Sequence, residues 1–214
     1  MKIKVQNQQN LKNNNEKMVL EIIRANKNED ISQAKIAKLT HMSPTSISRI
    51  VENLILKGLV RKDDSIDTDN VGRKGIKLKL VPDSIITIGV SIDSDNLWVC
   101  VMDFFDRILV TKTLELQDRS YTPEEIIQLI QKMIINIYET TPYTEEKIQA
   151  VGISCIGNVD YKKGDIYFAP QFGWNHTEFG KMAQAMLGKT VYMENDMKAA
   201  ITSVVHQDKK LLSQ

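Results

Sequence analysis

The chain has 214 residues, of which 42% are apolar, 26% charged and 6% aromatic. That balance excludes a disordered, collagen-like or coiled-coil chain and leaves one large globular domain or two small ones. The formal net charge of +1 conceals a split: residues 1–82 hold 16 Lys and Arg against 9 Asp and Glu, a balance of +7, and residues 83–214 hold 12 against 18, a balance of −6. Such asymmetry points to a nucleic-acid reader joined to a second, acidic body. Cys100 and Cys155 lie in separate apolar runs without CxxC or Cys/His ligand spacing, so they read as buried small hydrophobes, not as a disulfide or a metal site. No apolar stretch reaches the roughly 18 residues of a membrane span. The start MKIKVQNQQN lacks the apolar run of a signal peptide. A cytoplasmic protein without a membrane partner is expected.

Residues 1–15 are polar and rich in Asn and Gln, and they read as a mobile tail running into a helix. Met18, Leu20, Ile22 and Ile23 give that helix its apolar stripe, which fades at Asn26–Asp30. A second helix follows Ile31, with Ser32 as its N-cap and Ile36 and Leu39 facing inward three residues apart. His41-Met42 makes a turn. Ser43-Pro44 then opens a third helix through Lys57, with Gly58 just past its end. Ile47, Ile50, Val51, Leu54 and Ile55 share one face of it at spacings of three and four. Thr45, Ser46, Ser48, Arg49 and Glu52 fall elsewhere.

A short helix, a tight turn and a helix whose outer N-terminal face carries hydroxyls and an Arg form a helix-turn-helix pattern. Such a helix fits the major groove, and small donors allow close approach to the bases. Two strands come next, Leu59–Lys62 and Ile76–Leu80, joined by a polar loop and the basic tip Gly72-Arg73-Lys74-Gly75. This is the wing of a winged helix-turn-helix, whose tip contacts phosphates or the minor groove. The candidate DNA-binding residues are Ser43, Thr45, Ser46, Ser48, Arg49, Arg73 and Lys74. Of these, Ser46, Ser48 and Arg49 are expected to face the bases. The acids at 63, 64, 67 and 69 are placed in the hairpin loop, facing away from the duplex.

Val81-Pro82-Asp83 marks the domain boundary, giving domains 1–82 and 83–214. Three strands are expected over Ile85–Ile92, Leu97–Phe104 and Arg107–Leu116. An amphipathic helix capped by Thr122-Pro123-Glu124-Glu125 runs to Tyr138. Ile148–Ile156 is a buried strand, the stretch to Trp174 a loop, Thr177–Leu187 a helix and Lys189–Met193 a strand. A last helix starts near Met197. That order suggests a ribonuclease-H-like lobe, so the fold class is α/β (α+β overall), with a winged helix-turn-helix placed first.

Motifs in this second half resemble those of a known family. They are Val151-Gly152-Ile153-Ser154-Cys155-Ile156-Gly157-Asn158-Val159-Asp160, then Gly164-Asp165-Ile166, Ala169-Pro170, Gly173-Trp174, and Glu194-Asn195-Asp196-Met197-Lys198-Ala199-Ala200. In order, they are similar to the motifs of the ROK family, which groups sugar-responsive bacterial repressors with sugar kinases on an actin-like, two-lobed fold. The Gly72-Arg73-Lys74 tip resembles the repressor branch. The resemblance implies a sugar or sugar-phosphate effector held at Gly157, Asn158, Asn195 and Asp196. Asn195 and Asp196 also suit a simple helix cap, and Trp174 either closes the lobe's core or lines the sugar cleft.

Family kinases carry Asp-x-Gly-Gly-Thr after their first strand, where this chain has Ser91-Ile92-Asp93-Ser94-Asp95-Asn96. Without the glycine pair, backbone amides cannot approach a triphosphate closely, and two acids add repulsion. His41, His176 and His206 are scattered. The chain ends soon after the Asn195-Asp196 helix begins, so the second actin-like lobe, with the family's zinc and adenosine sites, is expected to be absent. The expected function is a non-enzymatic repressor of a carbohydrate operon, without metal or cofactor, binding operator DNA as a homodimer or higher homo-oligomer. The alternatives are a sugar kinase and a DNA-binding dimerisation module without ligand response.

Overall fold

The computed structural model describes residues 2–26, 31–66, 75–117 and 121–207. The chain divides into two compact units, Met1–Ser84 and Ile85–Gln214.

The first unit opens with α1 (Lys2–Ala25), α2 (Gln33–Thr40) and α3 (Pro44–Leu56), followed by β1 (Val60–Ile66) and β2 (Gly75–Leu80). Helix α1 takes in most of the stretch expected to be a mobile tail. Its buried stripe is Glu16, Val19 and Ile23, while Met18 is 38% exposed. Of the expected stripe, Ile23 is buried, Leu20 and Ile22 are half-buried and Met18 alone is exposed, while the buried Glu16 and Val19 were not part of it. In α2, Ile36 and Ala37 face inward and Leu39 is 54% exposed, against expectation. At 100° per residue, Leu39 lies about 110° from the midpoint of that adjacent pair, beyond the buried arc.

Helix α3 begins as the sequence indicates. Ser43 Oγ accepts from the Ser46 N–H at 3.1 Å, and Pro44 takes the first turn. Ile47, Val51 and Leu54 are buried, and Ile50 and Ile55 half-buried. The turn between α2 and α3 closes on His41 at φ 55°. Strands β1 and β2 pair antiparallel from Val60–Leu80 to Ile66–Gly75, with a bulge between Lys62 and Ser65. Asp63 and Asp64 thus belong to β1, not to the hairpin loop. Asp63, in the bulge, forms a salt bridge with Lys79, whose register partner is Arg61. The Leu78 N–H donates to Ile31 O at 2.9 Å, tying β2 to the segment that leads into α2.

The second unit contains β3 (Ile86–Ile92), β4 (Asn96–Met102), β5 (Ile108–Glu115), α4 (Pro123–Thr140), β6 (Ile148–Cys155), β7 (Asn158–Asp160), β8 (Asp165–Ala169), β9 (Trp174–Thr177), α5 (Phe179–Leu187), β10 (Val191–Asn195) and α6 (Asp196–Gln207). The main sheet has the order β10-β6-β3-β4-β5. Its first three members are parallel, and β4 and β5 are antiparallel to their neighbours. This is the ribonuclease-H-like order. The crossover helix α4 starts with a full capping box: Thr122 Oγ1 accepts from the Glu125 N–H, and Glu125 Oε2 accepts from the Thr122 N–H. Its five buried isoleucines, Ile126, Ile127, Ile130, Ile134 and Ile137, join the core, each contributing about 1.5–3 kcal/mol.

The stretch expected as a loop is a three-stranded antiparallel sheet, β7-β8-β9. Trp174 is 5% exposed, stacks on Phe172 at 4.7 Å and Phe179 at 5.4 Å, and donates its Nε1–H to Tyr121 O at 2.8 Å. Trp174 is therefore part of this unit's core.

Candidate nucleic-acid interface and effector site

The first candidate site is built on α3. Its N-cap geometry fixes where the hydroxyls lie. Ser43 is exposed and its Oγ both caps the helix and donates to Ser46 Oγ at 2.8 Å. Thr45 and Arg49 are exposed, and Ser46 and Ser48 half-exposed. Ser48 Oγ donates to Glu52 Oε1 at 3.3 Å, one turn on. The five candidate residues on α3 and its cap thus fall within its first two turns. Arg73 and Lys74 lie outside the described residues.

Helix α1 supports α3 through a contact that sequence reasoning missed. The Glu16 carboxylate accepts from Asn53 Nδ2 at 2.6 Å and from Lys57 Nζ at 2.5 Å. The Lys57 ammonium holds Glu16 below the ordinary carboxylate value of 4.5, helped by Asn53 and outweighing partial burial. A buried acid inside an apolar stripe has no sequence signature until its partners are known. One turn earlier, Leu11, Lys12 and Asn15 of α1 line a cleft of about 230 Å3 with Met42, Ser46 and Arg49.

The second candidate site lies at the carboxyl ends of β6 and β10, the end where open α/β sheets bind ligands. Gly157 follows β6 at φ 111°. A Cβ there would overlap Phe168 O and sit 3.1 Å from Ala169 Cα, so only glycine allows β8 to pass this closely. Asn195 ends β10 opposite Cys155. Its Nδ2 donates to Gly157 O at 2.8 Å and to Asp196 Oδ1 at 2.9 Å. Its Oδ1 accepts from the Lys198 N–H at 3.1 Å, which makes Asn195 the cap of α6. Gly157, Asn195 and Asp196 are therefore brought together. Asn158 is next in the chain, exposed, with its backbone paired to Phe168. Burial, and then the nearby Asp196 carboxylate, push the Cys155 thiol up to about 12, so it stays a neutral core residue.

A separate cavity of this unit lies on an open face of the main sheet. It is a trough of about 540 Å3 lined by Gly89, Trp98, Gly152 and Tyr192, among other residues. Its lining is almost wholly apolar, poorly suited to sugar hydroxyls. The β3–β4 turn is closed by Asp93: its N–H donates to Asn96 O at 3.0 Å and its Oδ1 accepts from the Ser94 N–H at 2.7 Å. A carboxylate thus occupies the turn, which contains no glycine. No group of three or more His, Cys, Asp or Glu able to hold a metal exists among the described residues. No described helix is long and apolar enough to cross a membrane.

A helix-turn-helix module followed by a ribonuclease-H-like lobe defines the class of protein. Residues 87–211 match the ROK family model and residues 10–68 match the MarR family model. The chain belongs to the ROK family. A xylose repressor of Caldicellulosiruptor bescii is 24% identical over 189 residues, covering 88% of this chain and 46% of the repressor. A glucokinase of Streptomyces coelicolor is 30% identical over 115 residues, covering 54% of this chain and 34% of the enzyme. The crystal structure of a ROK family transcriptional regulator, a homologue of the E. coli MLC protein, matches with a TM-score of 0.70 at 17% identity, covering 87% of this chain and 46% of that one. The chain spans about half the length of the curated relatives it matches.

Proposed function

We propose that the chain is a DNA-binding transcriptional regulator, a repressor of carbohydrate-utilisation genes acting in the cytoplasm. The observation that carries this is the outer face of α3, where Thr45 and Arg49 are exposed beside Ser46 and Ser48. These are short donors and one guanidinium at the end of a helix that enters a major groove. Arg73 and Lys74, which lie outside the described residues, are assigned by this reading to the backbone or the minor groove. The similarity to a xylose repressor runs across 88% of the chain, through both units, and supports the same division of labour. The domains are 1–82 for DNA and 83–214 for the effector. Two copies bind a two-fold symmetric operator with half-sites one helical turn apart.

The effector is a sugar or sugar phosphate held at Gly157, Asn158, Asn195 and Asp196. In this geometry the Asn195 amide is committed to Gly157 and to the α6 cap. It therefore positions the site, while the Asp196 carboxylate and the exposed Asn158 meet hydroxyls. Catalysis is disfavoured by the β3–β4 turn, whose carboxylate occupies the place where a nucleotide phosphate needs bare backbone amides.

Selection from a random duplex library tests both halves. Enrichment of a symmetric site, and its release by xylose or one of a panel of hexoses, is the expected result. Enrichment without release by any sugar or sugar phosphate would leave a DNA-binding dimerisation module and remove the effector role.

A further inference from the structure

Residues 1–15 contain three lysines, eight Asn and Gln and no acid. The structure puts all but the first of them on α1. Glu16 bonds Asn53 in the last turn of α3 and Lys57, its C-cap, while Lys12 and Asn15 line one cleft with Ser46 and Arg49 of its first half. The two helices therefore run side by side with their N-termini pointing the same way. The acid-free half of α1 is thus carried toward the end of α3 that reads bases.

We propose that α1 is a third DNA-contacting element, in which Lys12 and Asn15 clasp a backbone phosphate beside the bases met by Ser46 and Arg49. The inference rests on α3 being the base-reading helix. The cleft of about 230 Å3 presents an ammonium, a guanidinium, a side-chain amide and a hydroxyl over an apolar floor that includes Leu11 and Met42. All four polar groups can donate, and phosphate oxygens only accept. The nearest α1 acid, Glu16, does not line the cleft and is paired with Lys57, and its remaining field acts on Lys12. Lys12 is exposed and Asn15 half-buried. A phosphate bound here also fixes the register of α3 in the groove, because the cleft shares Ser46 and Arg49 with the reading face.

The test is fluorescence anisotropy with the full chain and a labelled 30-bp duplex of random sequence, over 50–300 mM KCl. Each phosphate contact adds about 0.9 to the magnitude of the log–log salt slope. Lys12→Met is expected to lower the slope by about 0.9 and to weaken binding about eightfold at 0.1 M KCl, and Lys12→Arg to restore both. Lys17→Met is the control: Lys17 is an exposed lysine of α1 paired with Glu21 at 3.8 Å and absent from the cleft. It should leave the slope unchanged. A wild-type slope in Lys12→Met, or an equal drop in Lys17→Met, would overturn the proposal while leaving DNA binding intact. Failure of the wild type to bind any duplex would overturn both. Replacing KCl by potassium phosphate at equal ionic strength should preserve the difference between wild type and Lys12→Met. Its disappearance would assign the cleft to free phosphate instead of DNA.

Discussion

Gly157→Ala is the sharpest test of how the proposed effector site is held. Alanine at φ 111° is strained by about 1–3 kcal/mol. Its Cβ also overlaps Phe168 O and crowds Ala169 Cα at 3.1 Å, so β7 and β8 must part. Moving Gly157 then loosens the Asn195 bond to its carbonyl, about 1 kcal/mol more. A destabilisation of about 2–4 kcal/mol is expected. Urea unfolding followed by tryptophan emission measures it cleanly, because Trp98 and Trp174, the only tryptophans, both lie in the second unit. Gly152→Ala is the matched control. A Cβ there meets nothing within 4 Å, and alanine in a strand gains about 0.5–1 kcal/mol over glycine. If Gly157→Ala unfolds within about 0.5 kcal/mol of wild type, the close approach of β8 is not what demands glycine.

Glu16→Gln should lower the thermal midpoint of the first unit at pH 7, followed by circular dichroism. Because Glu16 titrates below 4.5 when folded, its contribution is complete above that value and is lost as pH falls through the folded pKa. The gap between wild type and Glu16→Gln should therefore narrow from pH 6 to pH 3, and a constant gap would refute the ion-pair account. Asn195→Ala removes the α6 cap, at a cost of about 0.5–2 kcal/mol. Hydrogen exchange of the first α6 amides should quicken while those of α4, capped by Thr122 and Glu125, stay as slow as before.

What could be read from the sequence was what local chemistry specifies. Ser43-Pro44 and Gly58 bracket α3, and Thr122-Pro123-Glu124-Glu125 opens α4, because caps and proline act within one turn. The main sheet followed from apolar runs such as Ile148–Ile156, with Ile148, Val151, Ile153 and Cys155 buried. What escaped depended on partners distant in the chain. The tail-like start continues the helix whose Glu16 meets Asn53 and Lys57, 37 and 41 residues away. Strand β1 extends through a bulge at Asp63 and Asp64, where Asp63 reaches Lys79 on the neighbouring strand. The small sheet β7-β8-β9 uses strands of three to five residues, too short for an alternating pattern to show. Within the proposed effector site, the motif around Gly157 and Asn195 was visible. That the Asn195 amide would be spent on Gly157 and the α6 cap was not, because it depends on β6 and β10 lying side by side.

The central claim is that α3 reads bases, and Arg49→Ala tests it most directly. Binding of wild type and variant is compared on a duplex obtained by selection and on one of random sequence, at the same salt. A loss of about 1–3 kcal/mol on the selected duplex, with little change on the random one, is the predicted result. Equal losses on both would show that Arg49 contributes charge alone and would contradict base reading by this helix.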